Sequence, residues 1–260
     1  MTITTAMQGV RTKQTKARRR RGARRTSYVR RSDEPRSNAG MRSYNALHKI
    51  KGVSCVILLG GESKRMGKDK AGVKISGKTL FSMVYEKVSP LFDEVMVSAR
   101  DKNYDVARLM KKKAGTAPFR VVYDELPGRG PAIGLLSALK NARNVWVFAI
   151  GCDSPFPSPK LIRRLAKSKE GFDCVIPVHF NRLQTLFALY KKTCFAPLLS
   201  RIKKRGNPGL AEFIEKSPSI KVLYVTEKEI KKIDPAFESF MDADTPEELS
   251  LMKKKLEKGV

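Results

Sequence analysis

The chain is poor in the residues that most often build metal centres and covalent catalytic sites. It has four cysteines, two histidines and one tryptophan in 260 residues. Cys55, Cys152, Cys174 and Cys194 stand far apart with no C-x-x-C pair, and His48 and His179 fall at no zinc-ligand spacing from them. A structural zinc site and a disulfide scaffold are thereby excluded. The thiols read as buried or incidental groups in a reducing cytosol, so a cytoplasmic location is expected. No apolar run approaches the roughly 18–20 residues of a membrane-spanning helix, which predicts a soluble chain without membrane contact. Acid is short as well: 25 Asp+Glu face 53 Lys+Arg, a net charge of +28. What remains is an ordinary 41% hydrophobic content, enough for one sizeable core or two small ones, which rules out collagen-like and wholly disordered classes.

The positive charge is uneven. Residues 1–50 hold 14 Lys+Arg against 2 Asp+Glu, whereas residues 51–260 hold 39 against 23. Arg18–Arg21, Arg24–Arg25 and Arg30–Arg31 sit among Thr, Ser, Gly and Ala, with little apolar surface to offset ordering entropy. Residues 1–50 are therefore expected to be a disordered Arg-rich tail, and residues 51–260 a folded domain. The tail lacks the apolar stretch of a secretory signal, while its composition overlaps weakly with organellar transit peptides. Two further readings stand beside these. Met41 is the start and the tail reflects an upstream start codon, or the tail is an arm making nonspecific nucleic-acid contact through its cations. Oligomeric state is not legible.

From Val53 the pattern becomes regular. Cys55–Leu59 is a short apolar run closed by Gly60-Gly61, a buried strand with a turn behind it. Strands are expected near 94–99, 119–123 and 145–150, and helices near 79–89, 103–113, 131–142 and 158–168. Strands without alternation are buried on both faces, and strand–helix alternation of this length predicts an α/β fold with a parallel sheet between helix layers. Beyond Gly171, strands at 173–178 and 184–190 join through a turn at Asn181. Helices at 192–203 and 209–216 and a strand at 220–225 follow, and a last helix begins at Pro246 with Thr245 as its N-cap.

The strongest local feature is the run from Leu58 and Leu59 through Gly60, Gly61, Ser63, Arg65, Met66, Gly67 and Asp69 to Lys70. Paired glycines let backbone N–H groups approach phosphate oxygens, and Arg65 and Lys70 can neutralise a polyphosphate. The Walker A pattern fails, because five residues separate Gly61 from Gly67 and Asp69 replaces its Ser or Thr. The G-x-G-x-x-G fingerprint fails on spacing. A Gly-rich turn with surface lysines is the plain alternative. Asp153 stands just past the carboxyl end of the 145–150 strand, where open α/β sheets place ligands, and its carboxylate can hold Mg²⁺ or merely form a turn before Pro155.

This run resembles the L-x-G-G-x-S-x-R-M-G-x-D-K signature of the molybdenum cofactor guanylyltransferase family, part of the wider MobA-like nucleotidyltransferase group. Gly130–Gly134 is similar to its G-P-L-x-G segment, with Ala132 for Leu, and Cys152–Pro155 to its C-D-x-P strand end. Gln184–Tyr190 resembles Q-P-L-F-A-L-Y with Thr185 for Pro. Asp242–Leu249 resembles N-x-N-T-P-E-x-L with both Asn replaced by Asp. The likeness covers about 53–255 in consistent order.

The resemblance implies a three-layer Rossmann-like nucleotidyltransferase fold with a mostly parallel central sheet. It implies GMP transfer from GTP to the terminal phosphate of molybdopterin, with Mg²⁺ as cofactor and pyrophosphate released. Arg65, Lys70 and Asp153 are the implied catalytic residues, with Asp153 the metal ligand. Leu58, Leu59, Gly60, Gly61, Lys70, Ser98, Asp124 and Asp153 are the implied GTP-binding set, Ser98 standing where the family often has Asn. Asp244 is a candidate second metal ligand, or else a cap of the last helix or a solvent-facing residue. A cytidylyltransferase for the same pterin is the nearest rival, followed by nucleotidyltransferases acting on 2-phospholactate, a cobinamide phosphate or a sugar phosphate. From another class comes a nucleic-acid-associated protein whose tail does the work.

Overall fold

The computed structural model describes residues 49–59, 70–100, 102, 104–110, 119–124, 126, 130–206 and 209–257. The Arg-rich segment and residues 60–69, with Gly60, Gly61 and Arg65, lie outside the described residues. In chain order the elements are strand β1 (Val53–Leu58), a small hairpin β2 (Lys74–Ile75) and β3 (Lys78–Thr79), helix α1 (Leu80–Val88), β4 (Val95–Ala99), β5 (Arg120–Tyr123) and α2 (Pro131–Asn141). Then follow β6 (Trp146–Gly151), α3 (Pro159–Lys167), β7 (Cys174–His179), β8 (Arg182–Leu183), β9 (Phe187–Lys191), α4 (Phe195–Arg205), α5 (Leu210–Glu215), β10 (Val222–Val225), α6 (Glu227–Lys231) and α7 (Pro246–Glu257).

The main sheet runs β10-β7-β9-β6-β1-β4-β5, with β8 beside β7. β5, β4, β1 and β6 are mutually parallel, and β9 is inserted antiparallel between β6 and β7. β7 therefore points the same way as β6, and β10 runs parallel to β7. The expected α/β class and mostly parallel sheet are both present.

Alternation along the central strands explains the layers. Val53, Cys55 and Ile57 of β1, with Trp146, Phe148 and Ile150 of β6, pack one face against Phe81 and Val84 of α1 and Leu161 and Leu165 of α3. Val56 and Leu58, with Val147 and Ala149, pack the other face against Leu135 and Leu139 of α2, Leu198 of α4 and Phe213 of α5. Both faces are dry, which is why these strands read as unbroken apolar runs. Helix starts follow their local chemistry: the Thr79 hydroxyl accepts the Ser82 N–H at 3.1 Å, and Ser158 caps α3 ahead of Pro159.

Some boundaries differ from expectation. The 103–113 segment forms only a 3₁₀ stretch at Val106–Met110, burying Val106 and Leu109 three residues apart as that helix type allows; 111–118 are outside the described residues. The expected strand at 184–190 begins only at Phe187, because Gln184 turns: its N–H donates to Pro177 O and its carbonyl accepts the Phe187 N–H. The β2–β3 hairpin and α6 were not expected, since two-residue strands and a five-residue helix carry no periodicity.

Candidate active site

The parallel strands β1, β4, β5 and β6 all end at one edge. Register places Leu58 beside both Ser98 and Gly151, and Ala99 beside Tyr123. Hydrogen bonds continue past the strand ends: the Leu59 N–H donates to Ser98 O, the Cys152 N–H to Leu58 O, and the Asp124 N–H to Ala99 O. Leu58, Leu59, Ser98, Asp124 and Asp153 are thus brought to a single rim by backbone pairing alone.

Lys70 is where this rim gains its charge. It opens a one-turn 3₁₀ helix, Lys70–Gly72, as the first described residue after 60–69. Its ammonium donates to Asp153 Oδ2 at 3.1 Å and to Asp244 Oδ1. Burial alone would pull the Lys70 pKa down, but the bonds and charges of Asp244 and Asp153 outweigh it and hold the ammonium above the ordinary lysine range. The cation that Asp153 and Asp244 share in this structure is therefore a lysine 83 and 174 residues away along the chain. Asp244 does not cap the last helix. Thr245 does so as expected, its hydroxyl accepting the Glu248 N–H at 3.2 Å while Glu248 reaches back to the N–H groups of Asp244 and Thr245.

Asp242, which with Asp244 replaces Asn in the end piece and adds negative charge there, is part of the same cluster. It accepts the Ser154 hydroxyl at 2.6 Å. Burial, with smaller contributions from Asp153 and Asp244, pushes its pKa up to about 6 despite that bond and Lys70. The Ala243 N–H donates to Asp153 O at 3.0 Å, stitching segment 242–244 to the end of β6.

Two glycines make the close geometry feasible. A Cβ at Gly151 would lie 2.5 Å from Asp153 Oδ1, so only glycine lets that carboxylate fold back over the strand end. A Cβ at Gly134 would meet Ser98 Oγ at 2.7 Å and Leu58 Cδ2 at 2.8 Å, so its absence lets α2 lie against the rim. Gly134 belongs to a motif already picked out, whereas nothing in the sequence marks Gly151. Behind it, Ser98 Oγ donates to Asp124 Oδ1 at 3.3 Å, and burial raises the Asp124 pKa.

Among the described residues, no three His, Cys, Asp or Glu side chains are grouped so as to cage a metal ion by themselves. The donor set nonetheless fits Mg²⁺, which binds through one or two carboxylates and completes its shell with water and substrate phosphates. Asp153 and Asp244 are such carboxylates, already converged on one positive charge.

Comparison with known proteins agrees with this geometry. Residues 55–220 match the MobA-like NTP transferase domain. A relative from Natranaerobius thermophilus named "Probable molybdenum cofactor guanylyltransferase" is 33% identical over 214 residues, covering 79% of this chain and 97% of its own. One of the same name from Pelotomaculum thermopropionicum is 29% identical, covering 75% and 88%. The crystal structure of molybdopterin-guanine dinucleotide biosynthesis protein A from Archaeoglobus fulgidus superposes with a TM-score of 0.66 at 25% identity, over 79% of this chain and 99% of that one. A 4-diphosphocytidyl-2C-methyl-D-erythritol synthase from Anaerococcus prevotii shares the fold alone, at 17% identity and a TM-score of 0.59. A nucleotidyltransferase fold, a charged rim built from the matching motifs and these likenesses agree: the chain belongs to the MobA-like NTP transferase family.

Proposed function

We propose that this protein transfers GMP from GTP to the terminal phosphate of molybdopterin and releases pyrophosphate. The observation that carries the reading is the Lys70 ammonium held between Asp153 and Asp244 at the carboxyl edge of the sheet. Support for guanine and for the pterin comes from the names of the relatives, which cover three quarters or more of this chain.

The chemistry asks for positioning and charge rather than proton abstraction. An oxygen of the acceptor phosphate, already anionic, forms a bond to the α-phosphorus of GTP. The bond from that phosphorus to the α–β bridging oxygen breaks, and pyrophosphate carries the electron pair away. Lys70, with the Arg65 cation that the sequence also supplies, offsets charge on the triphosphate and leaving group, while the strand end at Leu58 and Leu59 receives the nucleotide beside Ser98 and Asp124. Mg²⁺ held by Asp153, with Asp244 as its second carboxylate, would supply polarisation of the phosphates. With triphosphate present, Lys70 exchanges a carboxylate partner for a phosphate oxygen, so the same cation serves both states.

Mass spectrometry of the product tests this. Protein, GTP, Mg²⁺ and molybdopterin should yield the acceptor mass plus GMP less one water, with one pyrophosphate released per product. Formation of only GDP and phosphate would refute transfer to the acceptor.

A further inference from the structure

At the same edge of the sheet, two strands from Asp153, the chain builds an aromatic stack around His179. Phe148, Leu189 and Val175 lie side by side across β6, β9 and β7. Counting four residues on, His179 is level with Cys152, about 10 Å across the sheet from the strand that ends in Asp153. The His179 ring is stacked on Phe237 at 4.3 Å and on Phe240 at 5.4 Å between ring centres, and Phe180 lies against it at 4.1 Å. Phe180 is nevertheless 79% exposed, the only aromatic among the large exposed hydrophobics of the described residues.

The placement of that ring is costly and enforced. Phe180 and Asn181 form the two-residue turn between β7 and β8 with φ of +46° and +56°, and Phe237 also sits at φ +53°. Bulky side chains avoid this left-handed region, and residues held there cluster at ligand clamps. A turn of this type ordinarily takes Asn-Gly. Glu227 holds it by accepting the Phe180 N–H, with its carboxylate 3.2 Å from His179 Nδ1. One segment then joins the stack to the charged rim: it runs from Phe237 and Phe240, on the His179 ring, to Asp242 at Ser154 and Asp244 at Lys70.

We infer that Phe180, backed by His179, is a stacking platform for the planar heteroaromatic ring of the acceptor, whose phosphate reaches the Lys70 rim. This rests on the reading of the acceptor as a pterin phosphate. A heterocycle with a π-face and an anionic tail matches an exposed aromatic face on the same edge as the Lys70 ammonium, and aromatic stacking tolerates any heterocycle with a π-face.

The test uses the full chain and a phosphate-free probe, 6-hydroxymethylpterin, titrated by its fluorescence, so binding is read without transfer. Wild-type protein should bind it, Phe180→Ala about tenfold more weakly, and Phe180→Trp as well as wild type. Phe180→Leu should resemble Ala, because it keeps apolar area but has no π-face. In each variant the affinity for GTP should stay within about twofold of wild type, which also reports an intact fold. Equal pterin binding by wild type and Phe180→Ala overturns the platform, as does absence of binding by wild type. So does a dimer that dissociates on Phe180→Ala without any change in pterin binding. Failure of the functional reading looks different: the pterin binds through Phe180, yet no GMP is transferred to a phosphorylated one.

Discussion

The carboxylates around Lys70 differ in what holds their charge. Asp153 and Asp244 bond the ammonium directly, while Asp242 has a hydroxyl partner and a buried position that raises its pKa from 3.8 to about 6. An acid whose folded pKa exceeds its unfolded one binds more protons in the native state between those values. Stability therefore falls as pH rises from about 4 to about 6, and the cost, about 3 kcal/mol for a shift of this size, is fully present above that window. In Asp242→Asn this contribution is absent, so the stability difference between variant and wild type should grow as pH rises through the window. Urea unfolding of both proteins across pH 4–7 without divalent cation checks it, and a difference that does not change with pH would show that Asp242 is not perturbed. Gly151 is the second residue-scale case. Gly151→Ala places a methyl 2.5 Å from the present position of Asp153 Oδ1 and displaces that carboxylate, so turnover should drop about 100-fold, as a misplacement near 1 Å does, while the melting temperature stays near wild type. Steady-state kinetics beside a thermal melt separates the two effects, and normal turnover would mean that the Asp153 rotamer is unimportant.

Among the elements, β1, β4 and β6 are legible because both their faces are buried, and α7 because Thr245 marks its start. The antiparallel insertion of β9 was not legible: a strand's direction depends on its neighbours, which are set by chain segments far away in sequence. The same limit hid the contacts of Asp244 and Asp242. The sequence offers Asp244 as a candidate metal ligand, but only the folded chain places the Lys70 ammonium on it. Glu94 is a comparable long-range device at the amino ends of the strands. Buried just before β4, it accepts from Ser54 of β1 at 2.5 Å, from Arg120 of β5 at 2.6 Å and from the Arg143 N–H ahead of β6 at 2.8 Å. Glu94→Ala removes the acceptor these donors share, although Arg120 keeps its bond to the Asn141 carbonyl, and should cost about 2 kcal/mol, the usual effect of leaving buried donors without a partner. Denaturant unfolding measures it. A loss under about 1 kcal/mol would mean that Glu94 does not hold the strand ends together.

For the whole molecule, the fold places every described site residue at one edge of the sheet and spends the opposite edge on structural clamps such as Glu94. No helix among the described residues is long and apolar enough to cross a membrane. Such a rim, where one lysine is held between two carboxylates at the carboxyl ends of the strands, is the charged edge at which the proposed transfer would occur. Nucleotide choice bears on this most directly. Wild-type protein, Mg²⁺ and molybdopterin incubated in turn with GTP, CTP, ATP and UTP should release pyrophosphate with GTP at least tenfold faster than with any other, and only when the acceptor is present. Equal or faster release with CTP, or release that ignores the pterin, would contradict guanylyl transfer by this chain.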